Sequence, residues 1–166
     1  MQHSESLRCG DQKAKVAVIG IGNELAGDDA AGIEVVRRLS ERWRDDNRVF
    51  LYALETDLFE IADLLERAER FIFVDATLEG TPGDIRPLSR SPHPLAPSLH
   101  QTDIASVMHR LQATRIAEPF PPWETFGITV TLPLTWGKGL SEPVARSVAE
   151  LVERLDALIV ESTSSG

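Results

Sequence analysis

Residues 16–32 read VAVIGIGNELAGDDAAG, and the fold turns on how this stretch is parsed. It opens on an apolar, largely β-branched run at 16–19, passes Gly20, Gly22 and Asn23, and reaches two adjacent acids, Asp28 and Asp29. A helical pattern follows at once. A buried strand that ends in a glycine turn and re-enters as a helix is the first half of a βαβ unit. In open α/β sheets, ligands bind beyond the carboxyl ends of the strands, so this turn is the first place to look for chemistry.

The turn does not match a dinucleotide fingerprint. That motif needs a third glycine three residues after the second, and Leu25 stands there. A phosphate held on a helix N-terminus also needs that end free of negative charge. Asp28 and Asp29 put two carboxylates in its place. A cation, or a metal carried by a partner, suits the pair better. One of the two acids also has the chemistry of an N-cap, a role that fits Asp28 better than Asp29.

Working outward, Ala31, Val35, Leu39 and Trp43 recur at four-residue spacing, widened by Val36. They predict an amphipathic helix over 28–44, lying on a sheet with Trp43 in the core. Strands are expected at 15–19, 49–54 and 71–74, with a helix at 58–68 that buries Ile61, Leu64, Leu65 and Ala68 and is capped by Thr56 or Asp57. The run at 71–74 is uninterruptedly apolar, as in a strand covered on both faces. Asp75 follows it. A carboxylate at the end of a buried strand is costly unless it is hydrogen-bonded, paired or coordinating. Either it accepts backbone hydrogen bonds from the next turn, or it faces Asp28 and Asp29 across the same sheet edge.

Prolines and glycines crowd residues 78–99, with a short edge strand expected at 84–88 and a proline-rich surface loop at 92–97. His100 then opens a helix whose apolar face is Ile104, Val107, Met108 and Leu111. A neutral, metal-ligating imidazole is favoured over a charged one at a helix N-terminus. Of the other histidines, His3 is in the leader, His93 in the proline loop, and His109 on a solvated helix face. A late strand is expected at 126–132, then the glycine-punctuated loop LTWGKGL at 134–140. Ser141 caps a last helix with Val144, Val148, Leu151, Leu155 and Ile159 on its buried stripe.

The pattern is α/β: a single three-layer α/β/α domain with a mainly parallel sheet of about five strands, over residues 14–161. Residues 1–13 read as a disordered leader and 162–166 as a frayed tail. The chain has 166 residues, 42% hydrophobic and 26% charged, and a formal net charge of −9. Such an acidic chain with no Lys/Arg run argues against nucleic acid or an anionic membrane surface as partner. No apolar run reaches the length of a membrane span. A single cysteine, Cys9, fits a reducing, cytoplasmic compartment.

Three pieces in order, GIGNELAGDDAAG at 20–32, FIFVDAT at 71–77 and SLHQTDIASVM at 98–108, resemble the nickel–iron hydrogenase maturation endopeptidases. LPLTWGKGLSEPV at 132–144 is similar to a late segment of that family. The resemblance implies a cytoplasmic protease that removes a C-terminal extension from a hydrogenase large-subunit precursor after nickel insertion. It implies metal contacts through Asp29, Asp75 and His100, with Asp28 acidic but not a usual ligand. The nickel would come with the precursor and be gripped transiently.

Two carboxylates and an imidazole, with no cysteine ligand, leave open positions on a borderline metal, as catalytic sites do. Two chemistries fit: a metal that polarises the scissile carbonyl and acidifies a water, or Asp29 or Asp75 as general base. One departure is at Glu55, Thr56 and Asp57, where the family usually has an acid followed by a Gly-Gly-Thr-like turn. That change bears on which precursor is accepted. Two other readings compete: a non-catalytic nickel-precursor binding or chaperone module on the same fold, and a Rossmann-like small-molecule enzyme. The acid pair and the absent glycine count against the latter.

Overall fold

The computed structural model describes residues 12–55, 60–88, 104–114 and 116–164. Strand β1 (Val16–Ile21) is an interior strand, apolar and buried throughout. It pairs in parallel with β2 (Val49–Leu54) on one side and β3 (Phe71–Thr77) on the other. Strand β5 (Trp123–Thr129) extends the parallel sheet beyond β3, and the short β4 (Ile85–Pro87) closes it antiparallel. The order is β2-β1-β3-β5-β4.

Strand periodicity divides the core between two faces. Val16 and Val18 of β1, with Ile72 and Val74 of β3, meet α1 (Ala31–Trp43) and α4 (Glu142–Ser164). Ala17, Ile19, Phe71 and Phe73 meet α2 (Ile61–Leu64) and α3 (Ile104–Ala113) on the other side. Both faces of the parallel strands are covered, which explains why they read as continuous apolar runs rather than alternating ones. This is the three-layer α/β/α arrangement expected. Helices α1 and α4 are also tied by polar contacts. The Trp43 indole N–H donates to Asp156 Oδ1 at 2.8 Å, and Arg42 pairs with Asp156 Oδ2 at 2.6 Å.

Several boundaries differ from the sequence reading. The helix expected from Asp28 begins as a 3₁₀ turn (Gly27–Ala30) and becomes α-helical at Ala31. Such 3₁₀ turns are frequent at α-helix ends, and this one starts close to other backbone. Here the closeness is set by Gly32, where an added Cβ would lie 2.3 Å from the Val74 carbonyl oxygen and 2.5 Å from that of Ile21. Of the helix expected at 58–68, the described part holds one α-helical turn, α2, after which the chain leaves to place Ala68 in a bridge with Ala14. Ile61, Leu64, Leu65 and Ala68 are nonetheless all buried. Its capping residues Thr56 and Asp57 lie outside the described residues.

Strand β3 continues three residues past Val74, so Asp75 is within the strand and paired with Gly127 rather than following it. Strand β5 starts three residues earlier than expected and ends at Thr129. The register Phe71↔Trp123 fixes its start, and Leu132, read from sequence as strand interior, is 53% exposed. The last helix runs through Ser164 with Thr163 buried, past the point where fraying was expected. No described helix is long and apolar enough to cross a membrane.

Candidate active site

The parallel register brings the ends of β1 and β3 to one edge, with Gly20 beside Val74. Asp75 comes next along β3, on the face that also carries Phe71 and Phe73, and is 5% exposed. Its Oδ1 accepts the backbone N–H of Ala76 at 2.8 Å. The donor is the next residue of the same strand, not the following turn as one reading had it, and Asp75 lies close to the edge that carries the acid turn.

Asp29 reaches that edge by a different route. It lies on the 3₁₀ turn that follows β1, and it too is 5% exposed. Its backbone N–H donates to the Ala26 carbonyl at 3.2 Å, and its own carbonyl rests on Gly22, where a Cβ would lie 2.0 Å away. The glycines of this turn therefore serve close backbone approach between turn, helix and strand, not phosphate binding. The turn also contacts β3 directly. Two nearly buried carboxylates, one on the turn after β1 and one near the end of the neighbouring β3, thus lie by one edge of the sheet.

Asp28, beside it, does not cap the helix that follows. Neither the 3₁₀ turn nor α1 has a side-chain cap. Its carboxylate instead reaches Ser141, accepting the backbone N–H at 2.6 Å on Oδ1 and the hydroxyl at 2.7 Å on Oδ2. Sequence reasoning missed this contact. The two residues are 113 positions apart, and no local pattern links them.

His100, the third expected ligand, lies outside the described residues, as do His93 and the proline loop around it. Among the described residues no three His, Cys, Asp or Glu side chains cluster as a metal site. His109 is exposed as expected, its ring edge-on to Trp123 at 5.6 Å. Around the acid turn, large apolar side chains face solvent: Leu25 and Trp136 are each 68% exposed. The backbone joins them, since the Gly137 N–H donates to the Leu25 carbonyl at 3.0 Å. Between the turn, α1 and the 139–145 segment is an open cavity of about 450 Å³, lined by Glu24, Glu34, Arg37, Arg38 and Leu140 among others. Glu34 forks to both arginines, which hold its carboxyl below the ordinary range.

No protein-family model matches the sequence, and no curated protein matches it either. Solved structures do. The NiFe hydrogenase maturation protease HybD from Thermococcus kodakarensis is similar at 25% identity, with a TM-score of 0.66 over 87% of this chain and 98% of that one. The hydrogenase 2 maturation peptidase of a Thaumarchaeota archaeon is similar at 27% identity, with a TM-score of 0.58 over 86% and 97%. The hydrogenase maturating endopeptidase HybD from E. coli shares the fold at 23% identity, with a TM-score of 0.67 over 89% and 93%. The chain therefore has the fold of the hydrogenase maturation proteases and is similar in sequence, at 25–27% identity, to peptidases of that kind.

Proposed function

We propose that the chain is an endopeptidase that removes the C-terminal extension of a nickel–iron hydrogenase large-subunit precursor after nickel insertion, recognising the precursor-bound nickel through Asp29, Asp75 and His100. The observation that carries this reading is the convergence of Asp29 and Asp75, both nearly buried, on one edge of the sheet. Nickel is part of the substrate here, delivered by the precursor and released with the product. Carboxylate oxygens and an imidazole suit a borderline divalent metal, and they leave positions for the precursor's own ligands.

In the hydrolysis a water oxygen adds to the scissile carbonyl carbon, the C–N bond breaks, and the leaving nitrogen takes a proton. Two roles for the acids fit this step. They hold the precursor's nickel near the carbonyl, which polarises it and acidifies the water. Alternatively, Asp29 or Asp75 takes the water's proton as general base. A protein substrate, as opposed to a small metabolite, accords with the exposed Leu25 and Trp136 beside the acid turn. A cytoplasmic site of action is part of the proposal, in keeping with a chain that has one cysteine.

Mass spectrometry of nickel-loaded precursor incubated with the wild type, Asp29→Asn and Asp75→Asn tests the assignment. Wild-type release of a defined C-terminal peptide, lost in both variants, supports it. Processing by either variant at the wild-type rate contradicts the assignment of that residue. Tight precursor binding without any cleavage by the wild type supports the chaperone reading instead.

A further inference from the structure

The acid turn carries a carboxylate that the proposed chemistry leaves unused. Both oxygens of Asp28 are engaged by Ser141, one by its N–H and one by its hydroxyl. Hydrogen bonds to an ionised acceptor are the stronger kind, and two of them on one carboxylate fix its orientation. Ser141 immediately precedes α4, a 23-residue helix packed against α1 and the sheet. The other end of the turn is held as well, through the Gly137 N–H on the Leu25 carbonyl. The turn is therefore fastened on both sides to the segment before α4, with Asp29 next to the Asp28–Ser141 fastening.

We propose that Asp28 is a positioning residue: by clamping Ser141 it sets the backbone from which the Asp29 carboxylate is presented at the sheet edge. The proposal rests on the reading of Asp29 given above. It assigns Asp28 no ligand role, because both oxygens are already committed. It also explains why the sequence needs two adjacent acids, one for the chemistry and one for the anchor. Displacing a reacting group by about 1 Å can cost a hundredfold in rate, so a clamp of this kind acts on turnover more than on substrate capture.

The test compares Asp28→Ala with Asp28→Asn on nickel-loaded precursor, with kcat and KM measured separately. The asparagine keeps the shape of the clamp: its oxygen accepts the Ser141 N–H, and its amide donates to the Ser141 hydroxyl oxygen. The expected result is a kcat reduced about a hundredfold in Asp28→Ala, with KM changed by less than about threefold, and turnover restored to within about tenfold of wild type in Asp28→Asn. Equal loss in both variants would mean that the charge itself takes part in the chemistry, and would overturn a positioning role. Wild-type kcat in Asp28→Ala would overturn it also.

If Asp28→Ala does not fold, Ser141→Ala, which removes one of the two bonds, is expected to lower kcat several-fold at constant KM. An unchanged kcat there contradicts the proposal. Amide hydrogen exchange separates this proposal from the reading beneath it. Absence of cleavage by the wild type overturns the protease reading. Wild-type exchange rates at the amides of residues 28–30 in Asp28→Ala, or in Ser141→Ala, overturn the clamp alone.

Discussion

Asp29 and Asp75 are each 5% exposed, and a carboxylate at that depth persists only where something compensates its lost hydration. Replacing either with Asn keeps the shape and removes the charge. If the two act as nickel ligands or base, each substitution is expected to lower precursor processing by about 10²–10⁴-fold while the thermal midpoint stays near that of wild type. Processing rates beside circular-dichroism melting curves check this, and an unchanged rate removes that residue from the site. His100→Ala is expected to abolish processing in the same way, without unfolding the domain. At this scale the sequence was informative about residue type and position. The placement of Asp29 and Asp75 by one edge was legible because strand ends of a parallel sheet share an edge. The partner of Asp28 was not, because a contact across 113 residues depends on how α4 docks, which no local periodicity encodes.

Among the elements, α1 packs directly on β1, β2 and β3, and Gly32 makes a close approach possible. A Cβ there would lie 2.3 Å from the Val74 carbonyl, a backbone atom with no room to retreat. Gly32→Ala is therefore expected to destabilise the fold by roughly 1–3 kcal/mol or more, read as a lower urea midpoint. A midpoint equal to wild type would contradict the packing described.

The turn into β2 gives a pH prediction. Arg48 forks onto Asp46 and also donates to the Thr163 carbonyl of α4 at 3.2 Å. The guanidinium bonds to Asp46, with the Arg48 backbone N–H on Oδ1, push the Asp46 pKa down from its ordinary 3.8 to about 2. A carboxyl depressed on folding contributes stability that is fully present above its unfolded pKa and is lost as pH falls through the folded one. Wild type should therefore exceed Asp46→Asn in stability above about pH 4, and the gap should close toward about pH 2, as followed by urea unfolding. Asp46 is partly exposed and its partner Arg48 more so, and water screens the pair, so the gap is small. A gap independent of pH would assign the effect to something other than this carboxylate.

The elements themselves were readable from periodicity, while their ends were not. Strand β3 runs on through Asp75 because Gly127, Ile128 and Thr129 of β5 continue the ladder beside it. The apolar look of residues 130–132 suggested a strand that the register with β3 does not continue. The β-branched and aromatic types at 16–21 and 71–77 marked buried strands, but the partner strand decided where each one stopped.

Over the whole molecule, the strand order β2-β1-β3-β5-β4 is what sets the site. It puts β1 and β3 side by side, so the turn after one and the last residues of the other meet at a single edge. The sequence reading reached the fold class and about five strands, since alternating strand and helix signals in one chain leave few topologies open. The likeness to hydrogenase maturation proteases was carried by short motifs, of which those at 20–32 and 71–77 lie at the ends of β1 and β3.

A protein-sized substrate also needs a surface, and Trp136 is the largest exposed apolar side chain near the acid turn. Trp136→Ala is expected to raise the KM for precursor about tenfold with little change in kcat, as truncation of an anchoring aromatic does. A fall in kcat at constant KM would place Trp136 in the chemistry instead.

The claim at the centre is cleavage that waits for nickel. Purified protein should be mixed with the cognate large-subunit precursor, once nickel-loaded and once nickel-free, and the products weighed by mass spectrometry. Loss of one defined C-terminal peptide from the loaded form alone is the predicted result. Equal cleavage of both forms would contradict the nickel gate, and cleavage of neither, with binding retained, would contradict the protease.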